Sequence, residues 1–290
     1  MNLIEVNHLS KSYDGFRLQD ISFSLPAGFI MGYVGQNGAG KTTTLNAMMH
    51  LITPDSGETS IDGLTYAKDP LRYRDSIGYI GDASFFPVDF TAMDIENILR
   101  DFYPSFNRDT YREFLKKWDL SPKKKIKDFS RGMKVKLMFA AVLSRDTKVL
   151  ILDEATNGLD PMMRKDVLDL LQDYICDGNR SIIFSTHIME DLQDIADYIF
   201  FIDHGEKIFF EPKDELAEKY LLVKGGPEDL TDELKAHLSG IEKHAYGFTA
   251  LFSTDSDYIL PASLTTELPT IDQIIIHQIQ ERRRCYDSHF

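Results

Sequence analysis

The chain is poor in cysteine, short of positive charge, and without a long apolar run. Its 290 residues include only two cysteines, Cys176 and Cys285, far apart in sequence. Two such residues supply neither a disulfide framework nor metal-site spacing, and they point to a reducing compartment. Lys and Arg number 32 against 46 Asp and Glu, for a net charge of −14. That balance argues against a broad nucleic-acid-binding surface, and no nucleic-acid partner is expected. No stretch approaches the roughly 18–20 apolar residues a membrane helix needs. The longest apolar clusters, such as YIFFI at 198–202, are strand-sized. The N-terminus, MNLIEVNHLSKSYDG, lacks the basic-then-apolar order of a signal peptide. If the protein acts at a membrane, another chain must cross it.

What is there reads as an ordinary globular protein, 43% apolar and 27% charged, of a length that suggests about two domains. Residues 3–34 alternate and carry turn signals at Asp14-Gly15 and Pro26-Ala27-Gly28, which predicts antiparallel strands ending in a buried strand at 29–34. A helix is expected to about His50, a short strand at 58–61 and another at 74–80. From Ala83 to about Arg145 the pattern turns helical, with Thr91, Asn107 and Ser130 as candidate N-caps. The run VLILD at 149–153 predicts a strand buried on both faces. A helix at about 162–176, strand 181–186, helix 188–196 and strand 198–203 follow. After about Tyr220 a second domain is expected, with a helix at 230–238 and a final helix at 270–284.

Residues 35–42, GQNGAGKT, match the pattern G-x-x-x-x-G-K-[ST] between a predicted strand and a predicted helix. Gly35, Gly38 and Gly40 permit backbone conformations closed to other residues. Consecutive amides from Gly35 through Asn37, Ala39 and Thr43 can then converge on phosphate oxygens at a helix N-terminus, where the helix dipole adds attraction. Lys41 can reach the β- and γ-phosphates of a nucleoside triphosphate and Thr42 can ligate Mg²⁺. The strand VLILD would deliver Asp153 to the same sheet edge, as a further Mg²⁺ ligand. Glu154 follows it, poised to polarise an attacking water.

These motifs in this order resemble the ATP-binding cassette (ABC) ATPase family over roughly residues 1–220. The resemblance implies an α/β fold, with a P-loop core, an N-terminal antiparallel β subdomain and a helical insertion at about 83–145. A small C-terminal α/β domain would occupy 221–290. It implies that Tyr13 stacks on adenine and that His187, in STH at 185–187, senses the γ-phosphate and holds the water. It implies that Asp160, in NGLD, belongs to the loop that meets a second subunit. FSRGM at 129–133 falls where the family carries its signature sequence, so Ser130 and Gly132 would face the nucleotide of that second subunit. Arg131 and Met133 depart from the usual signature. A separate departure is Asp82, which stands after the strand at 76–80 where the family usually has a glutamine that touches Mg²⁺; Gln36, inside the phosphate loop, is no substitute. A carboxylate there still offers oxygen to the metal but brings negative charge.

The resemblance therefore implies an ATPase that binds ATP and Mg²⁺ and pairs with a second ATPase subunit, identical or not. Its other partner would be an integral membrane permease, reached from the cytoplasmic face of the cell membrane. A separate short ATPase with a partial signature and a C-terminal extension resembles bacterial ABC-2-type exporters. Exporters of antimicrobial or amphipathic peptides, phenol-soluble modulins among them, are of this kind. The groove near 83–90 is expected to receive a helix of the permease. The lysines at 123–127 read as a solvated loop or as a face toward anionic lipid. Competing readings are a soluble ABC-type ATPase acting on translation or DNA, and a weakly active subunit of a heterodimer.

Overall fold

The structure, a computed structural model, describes residues 2–287. It divides into two compact units, Met1–Phe210 and Glu211–Phe290. The division falls ahead of the composition change near 220. Helix α8 (Lys213–Glu218) is the reason: it packs against the closing helix of the second unit.

The first unit opens with a hairpin. Strands β1 (Asn2–Tyr13) and β2 (Phe16–Pro26) pair antiparallel through Asp14-Gly15, with Tyr13 opposite Phe16 at the tip. Strand β3 (Ile30–Val34) then leads into helix α1 (Lys41–Met48). Strands β4 (Ser56–Ile61) and β5 (Leu64–Thr65) form a second hairpin, which adds to the free side of β1. Helix α2 (Pro70–Asp75) precedes strand β6 (Ile77–Gly81). Arg74 and Asp75 therefore close a helix where a strand is expected from the sequence to start. The cause is local: the Asp69 carboxylate accepts from the Arg72 amide at 3.1 Å, and Pro70 takes the first helical position, so a helix is nucleated there.

The insertion comes next: α3 (Ala92–Phe102), α4 (Arg108–Lys117) and α5 (Arg131–Leu143). The three caps expected from sequence are made by Thr91, Asn107 and Ser130 side chains. This layer has a core of its own, including Ile95, Leu99, Tyr111, Leu115, Ile126, Phe129 and Leu137. Each such buried apolar side chain is worth about 1.5–3 kcal/mol relative to exposure. Glu96 is also buried, and there it meets Arg108 and Arg112, which compensate its charge.

The chain then returns to the sheet with β7 (Val149–Asp153), α6 (Pro161–Ile175), β8 (Ser181–Ser185), α7 (Met189–Ile195), β9 (Tyr198–Asp203) and β10 (Glu206–Pro212). All ten strands form one sheet in the order β5-β4-β1-β2-β10-β9-β3-β8-β7-β6. Its half from β9 to β6 is parallel. Every residue of β3, β7 and β8 is buried, as expected for strands covered on both faces. Parallel register matters for the site. Gly81 lies beside Asp153 and Asp153 beside Ser185, so the segments that follow β6, β7 and β8 all emerge at one edge, with the loop after β3.

The second unit continues from α8 through β11 (Tyr220–Gly225), α9 (Asp232–Lys235), β12 (Leu238–His244), β13 (Gly247–Ser253), β14 (Thr265–Glu267) and α10 (Ile271–Asp287). Its antiparallel sheet has the order β12-β13-β11-β14. The predicted helix at 230–238 shrinks to α9, because Thr231 caps it and β12 claims the chain from Leu238. Val223, Leu234, Leu238, Phe248 and Phe252 fill the core of this unit. Helix α10 is tied to β12 at Gly240. The buried His277 Nδ1–H donates to the Gly240 carbonyl at 2.5 Å, and Glu281 accepts from the Gly240 amide at 2.8 Å. Cys176 is exposed and unpaired, while the Cys285 side chain lies outside the described residues.

Candidate nucleotide site

The loop Gly35–Thr42 turns the chain from β3 into α1. Gly35 has no room for a side chain: a Cβ would stand 2.4 Å from the Ile202 carbonyl oxygen. Gly40, the residue before the helix, sits at φ 112°, open to glycine alone without strain. Inside the loop the Ala39 amide donates to the Gln36 carbonyl at 3.0 Å and the Ala39 carbonyl accepts from Gly205 at 2.9 Å, which fixes the curvature. The first amides of α1 have no partner within the helix, and the residues that carry them, Lys41, Thr42 and Thr43, line the hollow over the loop. Lys41 folds back along the loop, its Nζ donating to the carbonyls of Gly35 at 2.6 Å and Gln36 at 3.3 Å. Burial pushes the Lys41 ammonium down from its usual range, against the opposing pull of Glu154 and Asp153.

A cleft of about 660 Å³ opens over this loop. Its walls include Gln36, Asn37, Gly38, Gly40, Lys41, Thr42 and Thr43 on one side, and Asp82, Asp153 and Glu154 on the other. Thr42 Oγ1 donates to Asp153 Oδ2 at 3.0 Å, so a hydroxyl and a carboxylate oxygen meet at one point of the wall. Asp82 also faces the cleft, but its carboxylate is taken by Arg131 in an ion pair.

Glu154 is held with unusual firmness. Its backbone sits at φ 58°, a left-handed conformation uncommon outside glycine, and its amide donates to Ser185 O at 2.9 Å. Its Oε2 accepts from Asn157 Nδ2 at 2.9 Å and lies 2.7 Å from His187 Nδ1. The carboxylate is one-fifth exposed and the imidazole two-thirds exposed. The pair thus has one oxygen fixed and a solvent-facing side on which water can be ordered.

The remaining residues singled out in the sequence lie elsewhere. Ser130 Oγ caps α5 by accepting from the Met133 amide at 3.2 Å, with Gly132 in the first turn. Asp160 caps α6, accepting from Met163 N at 3.0 Å. Ser130, Gly132 and Asp160 are not part of the cleft wall. Tyr13 is about half exposed, with the Lys11 ammonium 5.7 Å from its ring centre, and the wall is lined instead by its hairpin partner Phe16 and by Gly15. The signal for Phe16 was the Asp-Gly hairpin itself, which sets the residues on either side opposite one another. Tyr79 also lines the cleft.

Known proteins share the sequence pattern and the fold. The family model described as "ABC transporter" matches residues 18–157. The chain is 31% identical to the ABC transporter ATP-binding protein YtrB of Bacillus subtilis over 77% of its own length and 76% of that protein's. It is 32% identical to the bacitracin transport ATP-binding protein BcrA of Bacillus licheniformis over 81% of this chain and 77% of that one. Among solved structures, an ATP-binding subunit of an ABC transporter superposes with a TM-score of 0.68 at 26% identity, covering 74% of this chain and 91% of that one. The cbiO1 protein of Clostridium perfringens, part of the transporter complex cbiONQ, gives 0.64 at 26% identity over 75% and 92%. This chain therefore belongs to the ABC transporter family, as an ATP-binding subunit and an ATPase.

Proposed function

We propose that the chain powers a bacterial exporter that moves a peptide or another amphipathic compound out of the cell. The observation that carries a transport role is an apolar groove of about 450 Å³ beside the nucleotide cleft. Met49, Leu51, Tyr79, Phe85, Tyr103 and Met138 are among its walls, and Tyr79 lines both hollows. Leu51 and Phe85 are 63% and 58% exposed, an apolar surface that calls for a partner. Its occupant in this reading is a helix from an integral membrane permease, since no helix of the described residues is long and apolar enough to cross a membrane. The ATPase would then lie on the inner face of the membrane. The similarity to a bacitracin transport protein favours export of a peptide-like cargo.

In the cleft, the phosphates of ATP would lie on the 35–43 loop with Lys41 against the β- and γ-groups. The Thr42 hydroxyl and the Asp153 carboxylate form the oxygen-only donor set that Mg²⁺ prefers, while Asp82, expected from the sequence as a further ligand, is held by Arg131 instead. Bound there, the ion would offset charge on the phosphate oxygens. Glu154 would take a proton from the attacking water and His187 would orient it. Adenine would stack at the Tyr13–Phe16 hairpin tip. Ser130, Gly132 and Asp160, outside the cleft of their own chain, would serve the nucleotide of a second ATPase subunit.

The test is Phe85→Glu, which puts a charge on an exposed wall of the groove. The variant should keep ATP binding yet lose co-purification with its membrane chain and lose ATP-driven uptake of cargo into inside-out vesicles. Wild-type co-purification and uptake would overturn the groove assignment. Uptake by right-side-out vesicles alone would overturn export.

A further inference from the structure

Two residues that depart from the family pattern meet each other. Asp82 follows the end of β6, and Arg131 is the first residue of α5, 49 positions later. Arg131 Nη2 donates to Asp82 Oδ1 at 2.5 Å and approaches the Asp82 carbonyl at 3.4 Å. The guanidinium is bounded by Gly158, where a Cβ would stand 3.2 Å from Arg131 Cζ and 3.3 Å from Nε. One side chain therefore touches the strand-end loop of the core, the loop after Glu154, and its own place at the head of the insertion.

Charge explains why it is needed. The cleft wall holds Asp82, Asp153 and Glu154 against the single ammonium of Lys41. Asp153 is met by Thr42, and Glu154 by Asn157 and His187. Among the described residues, Asp82 is met by Arg131 alone. An unmatched carboxylate there would repel an incoming triphosphate. A planar guanidinium can lie against the Gly158 backbone while one arm holds the carboxylate, a geometry lysine cannot copy.

We propose that Arg131 is a positioning residue that acts within its own chain: it neutralises Asp82 at the nucleotide cleft and fastens the head of α5 to β6 and to the 154–160 loop. The proposal rests on the reading of this cleft as the ATP site. It assigns Arg131 to its own nucleotide rather than to that of a neighbouring subunit. Both side chains are about half exposed, so the fastening is weakened by salt.

The experiment is a mutant cycle on the full chain at a concentration where it is monomeric, read by equilibrium binding of a fluorescent ATP analogue with Mg²⁺. Thermal melts accompany it to establish folding. Arg131→Gln should weaken binding about two- to fivefold at low ionic strength, and the loss should shrink in 0.5 M salt, an assay condition of the order where screening is short-ranged. Adding Asp82→Asn should restore binding, as should the exchange Asp82→Arg with Arg131→Asp. Arg131→Lys should restore it only in part. Wild-type binding by Arg131→Gln, with a fall in turnover that Asp82→Asn does not rescue, overturns the proposal and places Arg131 on a neighbour's nucleotide. Binding by the wild-type chain that survives Lys41→Ala unchanged overturns the cleft assignment itself, a separate result.

Discussion

Replacing Glu154 by Gln isolates the chemistry from the binding. The shape is kept, and one oxygen still accepts from Asn157 Nδ2, now at 2.9 Å from Glu154 Oε2. What is lost is the negative charge and the basicity beside His187 Nδ1, which lies 2.7 Å from the same oxygen. A positioned general base contributes about 10²–10⁴-fold to a rate, which at about 1.36 kcal/mol per decade is roughly 3–5 kcal/mol of barrier. Because the backbone at φ 58° and the amide bond to Ser185 are untouched, the side chain should stay where it is. Binding should not suffer, since Glu154 is outside the amide loop and its removal takes one negative charge from the cleft wall. The assay is single-turnover hydrolysis of radiolabelled ATP with enzyme in excess, beside equilibrium binding of the same nucleotide. The expected result is hydrolysis slowed by at least about a hundredfold with binding equal or tighter. A loss under about threefold would refute the role of Glu154 as base, because a positioned base typically contributes far more. A parallel loss of binding would show instead that the substitution had disturbed the loop.

Gly35→Ala drives a methyl to 2.4 Å from the Ile202 carbonyl, so the loop must shift; ATP binding should fall at least about tenfold while the fold survives, and wild-type affinity would contradict the tight fit. Burial pushes the Glu96 carboxyl up, but Arg112 and Arg108 outweigh it and hold its pKa below the usual value. A carboxyl depressed on folding contributes stability that is present above about pH 4.5, its ordinary value, and lost as pH falls through the folded value. Thermal melts of Glu96→Gln should therefore lie below wild type at pH 7 and converge with it in acid; parallel curves would show that the ion pairs carry no linkage.

Much of this architecture is legible because the signals are local. The loop GQNGAGKT marks the turn from a strand into a helix start, and the apolar run VLIL ahead of Asp153 reads as a strand covered on both faces. Once the strands are parallel, their ends must share an edge, so Thr42 comes to Asp153 and Glu154 to His187 without any pairing signal in the sequence. Less legible are features decided by a competing local rule. At 74–75 a strand is expected, yet Asp69-Pro70 starts a helix that has not yet ended. At 230–238 the helical pattern is overruled by strand pairing from Leu238. Least legible is the Arg131–Asp82 contact. Nothing in FSRGM or in YIGDAS refers to the other, and the pair exists only because the insertion folds back onto the sheet edge. The substitution of Phe16 for Tyr13 on the cleft wall has a similar origin: hairpin register sets the two rings opposite, and only the packed sheet decides which one turns inward.

The central claim is that the phosphates of ATP rest on the 35–43 loop under Lys41. The most direct measurement is equilibrium binding of a fluorescent ATP analogue with Mg²⁺ to the wild-type chain and to Lys41→Ala. Lys41 is the ammonium on the cleft wall, and its removal leaves the loop carbonyls of Gly35 and Gln36 without the bonds that now hold them. Binding by the wild type should be saturable, and the variant should lose at least about tenfold in affinity, the scale of one charge-assisted phosphate contact. Equal affinity in a variant that melts like the wild type would contradict it.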